Sequence, residues 1–132
     1  MVQLIQWGQQ LEVGHPMIDA DHQVLVDMMN KLLEAMLAGK DVEGAHAILD
    51  GLVAYTATHF AREEEAMQKR AYPDAAAHLA EHEAFRQEIG EFMDRLRAGD
   101  TMLTLGVMKF LKNWLTDHIL TVDKRLAAYL NS

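Results

Sequence analysis

Seven side chains of this sequence, five imidazoles and two carboxylates, have the chemistry and the spacing to bind metal. Two pairs lie four residues apart, which places both members of each pair on one face of a helix. Imidazole and carboxylate ligands without sulfur suit iron, manganese or zinc. The seven residues are His22, His59, Glu63, His78, His82, His118 and Asp123.

Helices must position these residues. Apolar side chains recur at three- and four-residue intervals in four stretches, and only a few residues connect one stretch to the next. Short connections place consecutive helices side by side, so we predict an all-α, antiparallel up-down-up-down four-helix bundle in a single domain, residues 1–132. The bundle is expected over 19–130, after an N-terminal arm over 1–18 that Trp7 anchors. The expected helix limits are N-caps at Asp19, Asp41 and Thr101, a restart at Pro73 and Asp74, and ends at Gly39, Lys69, Arg70 and Gly99.

The metal-capable residues occupy core-facing helical positions, where the apolar pattern predicts a Leu or an Ile. An unpartnered polar group in a core costs about 1–3 kcal/mol, and a charged carboxylate costs far more. A metal cluster would satisfy all of these groups together. By contrast, His15 precedes the first helix and His46 lies off the second apolar stripe, so both are interpreted as surface or hinge histidines. Glu64 and Glu65 point away from Glu63 on a helix and are interpreted as solvated.

The number of ligands favours two metals. Seven protein ligands exceed the four of a tetrahedral zinc site and fit two metals that the carboxylates of Glu63 and Asp123 bridge. With a bridging oxide or hydroxide, the metal bound by three imidazoles is saturated. Its partner, bound by two imidazoles, keeps one open position where a small molecule could bind.

The spacing of His118 and Asp123 does not fit a regular helix, because residues five apart differ by about 140° around the axis. Either the helix contains a π-bulge, which brings residues i and i+5 onto one face, or the two side chains reach the metals from opposite edges of the helix. We favour the second geometry, because two metals a few Å apart can span such a divergence.

Together these motifs resemble the hemerythrin family. The similarity to bacterial members extends to the lead-in, although Gly8 departs from the acidic or Ser residue that often follows the Trp there. The lead-in residues are Trp7, Leu11, Val13-Gly14-His15-Pro16 and Ile18-Asp19-Ala20-Asp21-His22.

The resemblance implies a di-iron centre with an oxo or hydroxo bridge that binds O2 reversibly. In that family O2 binds at the open iron of the diferrous centre, is held as hydroperoxide hydrogen-bonded to the bridge, and leaves as O2. The implied ligands are His78, His82 and His118 for the saturated iron, His22 and His59 for the other, and Glu63 and Asp123 as bridges.

Helix geometry places apolar side chains beside these ligands. We expect them to line an O2 pocket that excludes water and opposes the release of superoxide. The expected lining residues are Leu25, Phe60, Trp114, Leu115 and Ile119.

Composition excludes several classes of protein. The formal net charge of −8 argues against binding to nucleic acid or to anionic membranes, and the absence of cysteine excludes disulfides and thiolate sites. We see no signal peptide or membrane span in the sequence and expect a cytoplasmic monomer, its O2-accepting protein unidentified. O2 carriage, storage or delivery is the favoured function. The alternative is an O2 or redox sensor that acts through a partner. A di-iron oxidase or peroxidase is less favoured, since the sequence lacks the substrate-pocket signals of a basic clamp, a Gly-rich loop and a spare acid–base pair.

Overall fold

The helices form four rods. The computed structural model describes residues 4–37, 42–98 and 104–132, and the side chains of 42–45 and 104–105 lie outside that description. Its helices are α1 (Pro16–Leu37), α2 (Val42–Lys69), α3 (Ala75–Arg97), α4 (Thr104–Asp117) and α5 (Lys124–Leu130), with a short 3-10 turn at Gln9–Leu11. A π-helical segment, His118–Asp123, joins α4 to α5 in one continuous rod. No strand occurs among the residues described.

The rods pack as an antiparallel four-helix bundle, as predicted. α1 packs against α2 and α4, and α3 packs against the same two helices, so each rod has a neighbour on either side. Within the described part of the chain, no helix is long and apolar enough to cross a membrane.

The start of α1 differs from the prediction. The helix begins at Pro16, a residue that suits the first helical position because its missing N–H has no partner there anyway. Asp19 is therefore not the N-cap but a residue of the first turn. Its carboxylate accepts hydrogen bonds from the backbone N–H of Val13 at 2.7 Å and of Gly14 at 3.1 Å. Asp19 thus orders the turn before the helix, and residues 16–18 belong to the bundle rather than to the arm.

The other predicted limits have mixed outcomes. α2 ends at Lys69, and α3 begins after Asp74, which makes no side-chain cap hydrogen bond. The four remaining expected caps and ends, at Gly39, Asp41, Gly99 and Thr101, lie outside the described residues.

The N-terminal arm packs on the bundle through more than Trp7. Trp7 is half-buried against the core, whereas Ile5 and Leu11 are buried more deeply. Asn30 of α1 accepts the backbone N–H groups of Leu4 and Ile5 and donates to the carbonyl of Ile5 at 2.9 Å. The arm is therefore fixed by both apolar contact and hydrogen bonds.

Hydrogen bonds join Arg70 to the end of α5. We call this set of contacts the C-terminal clamp. The Arg70 guanidinium donates to the carbonyls of Leu130 at 2.8 Å and of Ser132 at 3.2 Å. In return, the Tyr129 hydroxyl donates to the Arg70 carbonyl at 2.7 Å. The clamp ties the last turn of the chain to the connection between α2 and α3.

Candidate metal centre

The π-helical segment decides how the fourth rod presents its ligands. At its end, the N–H of Lys124 donates to the carbonyl of Ile119, five residues back. The wider turn brings His118 and Asp123 onto one face, with His118 Nε2 and Asp123 Oδ1 3.1 Å apart. The preference for ligation from opposite edges of a regular helix was wrong, and the π-bulge alternative describes the structure.

All seven predicted metal residues meet inside the bundle and are buried. Their ligand atoms form two groups, and within each group the atoms lie within 4.8 Å of one another. Both groups contain Glu63. The first consists of Glu63, His78, His82 and His118, and the second of His22, His59, Glu63 and Asp123.

Glu63 on α2 faces both groups with different oxygens. Its Oε1 lies 3.2 Å from His78 Nε2 and 3.1 Å from His82 Nε2. Its Oε2 lies 3.4 Å from His59 Nε2, one helical turn before it. A carboxylate in this position can bridge two metals.

Asp123 also faces both groups, each with a different carboxylate oxygen. Its Oδ1 lies 3.1 Å from His118 Nε2 and 3.3 Å from His78 Nε2, while its Oδ2 lies 2.8 Å from His22 Nε2. Neighbouring ligands on a first-row metal with bonds of about 2.1 Å are about 3 Å apart, so these separations are those of a coordination shell.

Several of these close contacts are not hydrogen bonds. Six buried ligand atoms have no hydrogen-bond partner among the residues that the structure describes. Leaving such a group unsatisfied costs about 1–3 kcal/mol, and one cation in each ligand group would satisfy all six atoms. The atoms are the Nε2 of His22, His59 and His118, the Oε2 of Glu63, and both carboxylate oxygens of Asp123.

Carboxylates beyond the cluster orient two of the histidines. His59 Nδ1 lies 2.9 Å from Asp21 Oδ2, and His82 Nδ1 lies 2.9 Å from Glu64 Oε2. An ionised carboxylate only accepts hydrogen bonds, so each Nδ1 donates its proton, and the Nε2 that faces Glu63 is left as the ring atom that can bind a metal. Imidazole nitrogens and a carboxylate that face one another in this way can hold a cation between them, and the residues present therefore fit a metal.

The electrostatics of the cluster also favour a cation. Burial acts to lower the pKa of His59 and His78, but the carboxylates facing them outweigh it and raise each pKa to about 9. Burial and the charge of Glu63 act to raise the pKa of Asp123, yet His118 and His22 lower it to about 2. Without a metal, the ionised carboxylates of the cluster draw protons to His59 and His78.

Two acids beside the cluster were missed or misread from the sequence. Glu64 is not simply solvated, because it binds His82 and the Arg86 guanidinium at 3.0 Å. Asp21 was not singled out, although it falls on the buried stripe between Ile18 and Leu25, where an acid needs a partner. Its place on this buried stripe was the feature of the sequence that could have identified Asp21.

The residues set apart as bystanders lie elsewhere. Glu65 is exposed and pairs with Lys69 at 2.8 Å, as expected of a solvated acid. His15 and His46 are half-buried rather than on the surface, and neither belongs to the two ligand groups.

An apolar cavity of about 10 Å³ adjoins the cluster and touches His59 and His118. Of the expected pocket residues, four line it, whereas Ile119 is fully buried in the core but is not part of the lining. The four are Leu25, Phe60, Trp114 and Leu115. The sequence did not single out the remaining lining residues, which are Met29, Leu52, Thr56, Phe85 and Leu111.

Comparison with known proteins identifies the family. The family model described as the hemerythrin HHE cation binding domain matches residues 13–130. The chain belongs to the hemerythrin family. It is 36% identical over 106 residues to the bacteriohemerythrin of Methylococcus capsulatus, covering 80% of each chain. It is 33% identical to the bacteriohemerythrin of Stenotrophomonas maltophilia, over 97% of this chain and 85% of that one.

Solved hemerythrin structures have the same fold. A crystal structure of wild-type hemerythrin matches with a TM-score of 0.90 and 31% sequence identity, over 98% of this chain and 99% of that chain. With this family membership, the histidine and carboxylate cluster is a hemerythrin-type, non-haem iron site.

Proposed function

We propose that this protein binds O2 reversibly at a di-iron centre and serves in O2 carriage, storage or delivery. The observation that carries the proposal is the pair of ligand groups, unequal in histidine content, beside a small apolar cavity. The first group contributes three histidines and the second two, while Glu63 and Asp123 each face both.

The unequal groups give the two metals different roles. His78, His82 and His118 surround one position, which the shared carboxylates and a bridging oxide or hydroxide would complete. His22 and His59 leave the other position one ligand short. When bound, iron at this position supplies reversible O2 binding.

The cavity suits a small uncharged ligand. Its volume of about 10 Å³ is close to the space that one water-sized molecule occupies, and apolar side chains form most of its wall. Water gains little there because few polar groups face it, whereas O2 needs no hydrogen bonds to enter. The cavity touches His59 of the two-histidine group and His118 of the other.

Aromatic rings hold the imidazoles in place. The Phe60 ring stacks on His82 with centroids 3.7 Å apart and planes 6° apart. The Trp114 ring stacks on His118 at 4.4 Å and 15°. Both rings also line the cavity, so they fix the orientation of ligands and exclude water at the same time.

Metal analysis and gas cycling of the purified protein test this function. We expect two irons per chain, one for each ligand group. A visible absorption band should appear when the anaerobically reduced protein meets air and disappear under vacuum, over repeated cycles. O2 recovered under vacuum should equal O2 taken up, since a carrier consumes none. A single metal, zinc in place of iron, or net O2 consumption would contradict the proposal.

A further inference from the structure

Each ligand group contains one histidine whose outward-facing nitrogen meets a carboxylate. His59 binds Asp21 in this way, and His82 binds Glu64, both at 2.9 Å. The other three cluster histidines lack such a partner, because their Nδ1 atoms are buried without a hydrogen bond among the described residues. These three are His22, His78 and His118.

An arginine holds each of these carboxylates in turn. Arg62 donates to Asp21 Oδ1 at 2.5 Å, and Arg86 donates to Glu64 Oε2 at 3.0 Å. The Arg62 and Arg86 side chains are 47% and 36% exposed, so each series of contacts runs from a ligand group to solvent. The Tyr55 hydroxyl adds a second donor to Asp21 Oδ1 at 2.9 Å. The same order of histidine, carboxylate and arginine thus occurs twice, once for each ligand group.

In each series, the carboxylate and the arginine affect the metal-binding imidazole differently. A carboxylate that accepts the Nδ1 proton fixes the tautomer, leaves Nε2 free for metal, and makes the imidazole a stronger electron donor. A guanidinium on the same carboxylate withdraws part of that charge. The carboxylate and the arginine therefore act on the metal in opposite senses.

We propose that Asp21 and Glu64 are positioning residues, one for each metal, and that Arg62 and Arg86 limit the negative charge that reaches the irons. This inference rests on the iron site proposed above. It assigns to four residues outside the ligand set the control of how readily the centre is oxidised.

Substitutions at the two kinds of position should have opposite effects. Asp21→Asn and Glu64→Gln keep an acceptor for Nδ1 but remove its charge, so the reduction potential of the iron-loaded protein should shift to a more positive value. Arg62→Met and Arg86→Met keep the carboxylate and remove the cation, so the potential should shift to a more negative value. Glu65→Gln, an exposed neighbour of Glu64, is the matched control and should leave it unchanged. Potentiometric titration followed by visible absorption measures all five.

Metal affinity gives a second readout. Loss of a residue that orients a metal-bound histidine typically weakens metal binding about 10–100-fold, so Asp21→Ala should lose that much affinity for ferrous iron in competition with a chelator. Glu65→Gln should lose none.

The outcomes separate this inference from the proposed function. If the unmodified protein takes up no iron, the iron site itself fails. If it binds iron but the carboxylate and arginine variants keep its potential, or all shift it in one direction, the positioning role is overturned while the iron site stands.

Discussion

His118 and Asp123 lie five residues apart, yet His118 Nε2 and Asp123 Oδ1 approach to 3.1 Å because the helix between them is π-helical. Deleting Leu120, a partly exposed residue inside the segment, would put the two ligands four apart, on one face of a regular helix. We expect this variant to keep both irons and its thermal midpoint, as measured by metal analysis and thermal unfolding.

An insertion at the same place is the control. One alanine after Leu120 would place His118 and Asp123 six residues apart, about 240° around a regular helix. Its iron content should fall, because the Asp123 bridge turns away. Equal iron in the deletion and insertion variants would show that the length of the segment does not control ligation.

Replacing a ligand should differ sharply from replacing a bystander. His118→Ala removes an imidazole from the first ligand group, so we expect fewer than two irons per chain. His46→Ala affects a half-buried histidine outside both groups and should leave the iron content unchanged. Metal analysis of the two variants side by side makes the comparison, and loss of iron from His46→Ala would refute the separation of ligands from bystanders.

Leu115 should protect the reduced centre, since it lines the cavity beside His59 and His118. Leu115→Ala should enlarge the cavity, admit water, and speed autoxidation severalfold with the iron content intact. The expected cost in stability is about 2–5 kcal/mol. Leu32→Ala is the control, because Leu32 is equally buried in the same core but does not line the cavity. Equal autoxidation rates in the two variants would return Leu115 to a packing role alone.

The metal-free and iron-loaded proteins should respond to pH in opposite ways. Without metal, His59 and His78 have folded-state pKa values of about 9, above the ordinary 6.5. Their contribution to the free energy of unfolding is fully present below pH 6.5 and is lost as the pH rises through about 9. With iron bound, protons compete for the same nitrogens, so stability should fall as the pH is lowered.

Urea unfolding of both forms between pH 6 and about 9 measures this difference. The metal-free midpoint should decrease across that interval, while the loaded midpoint should not. A metal-free protein that grows more stable toward pH 9 would contradict the assignment of raised pKa values to these histidines.

The bundle and the meeting of its ligands followed from residue type and period. Helical spacing puts His59 and Glu63 on one face, and His78 and His82 on another, whatever the details of packing. The period is less informative at helix ends. Leu37, which continues the first apolar stripe, is 65% exposed, while Leu32 beside that stripe is buried.

The features that were missed, or for which the less suitable alternative was preferred, depend on geometry that periodicity does not encode. A π segment needs one irregular turn, and its only trace in the sequence is the five-residue spacing of His118 and Asp123. The role of Glu64 depends on the rotation of α2 against α3, which brings it to His82. The Asp19 carboxylate binds backbone N–H groups before the helix, although the same residue type commonly begins one.

The C-terminal clamp fixes the register of the fourth rod. A π segment contains one residue more than a regular turn, and this surplus can migrate along a helix as hydrogen bonds exchange between the fourth and the fifth preceding carbonyl. Each step rotates a residue by about 100° and would turn Asp123 out of the cluster. Arg70 and Tyr129 hold the last turn of α5 against the connection between α2 and α3, so a rotation of α5 that would let the surplus residue pass costs these hydrogen bonds. The C-terminal clamp thereby opposes movement of the irregular turn away from the metal ligands.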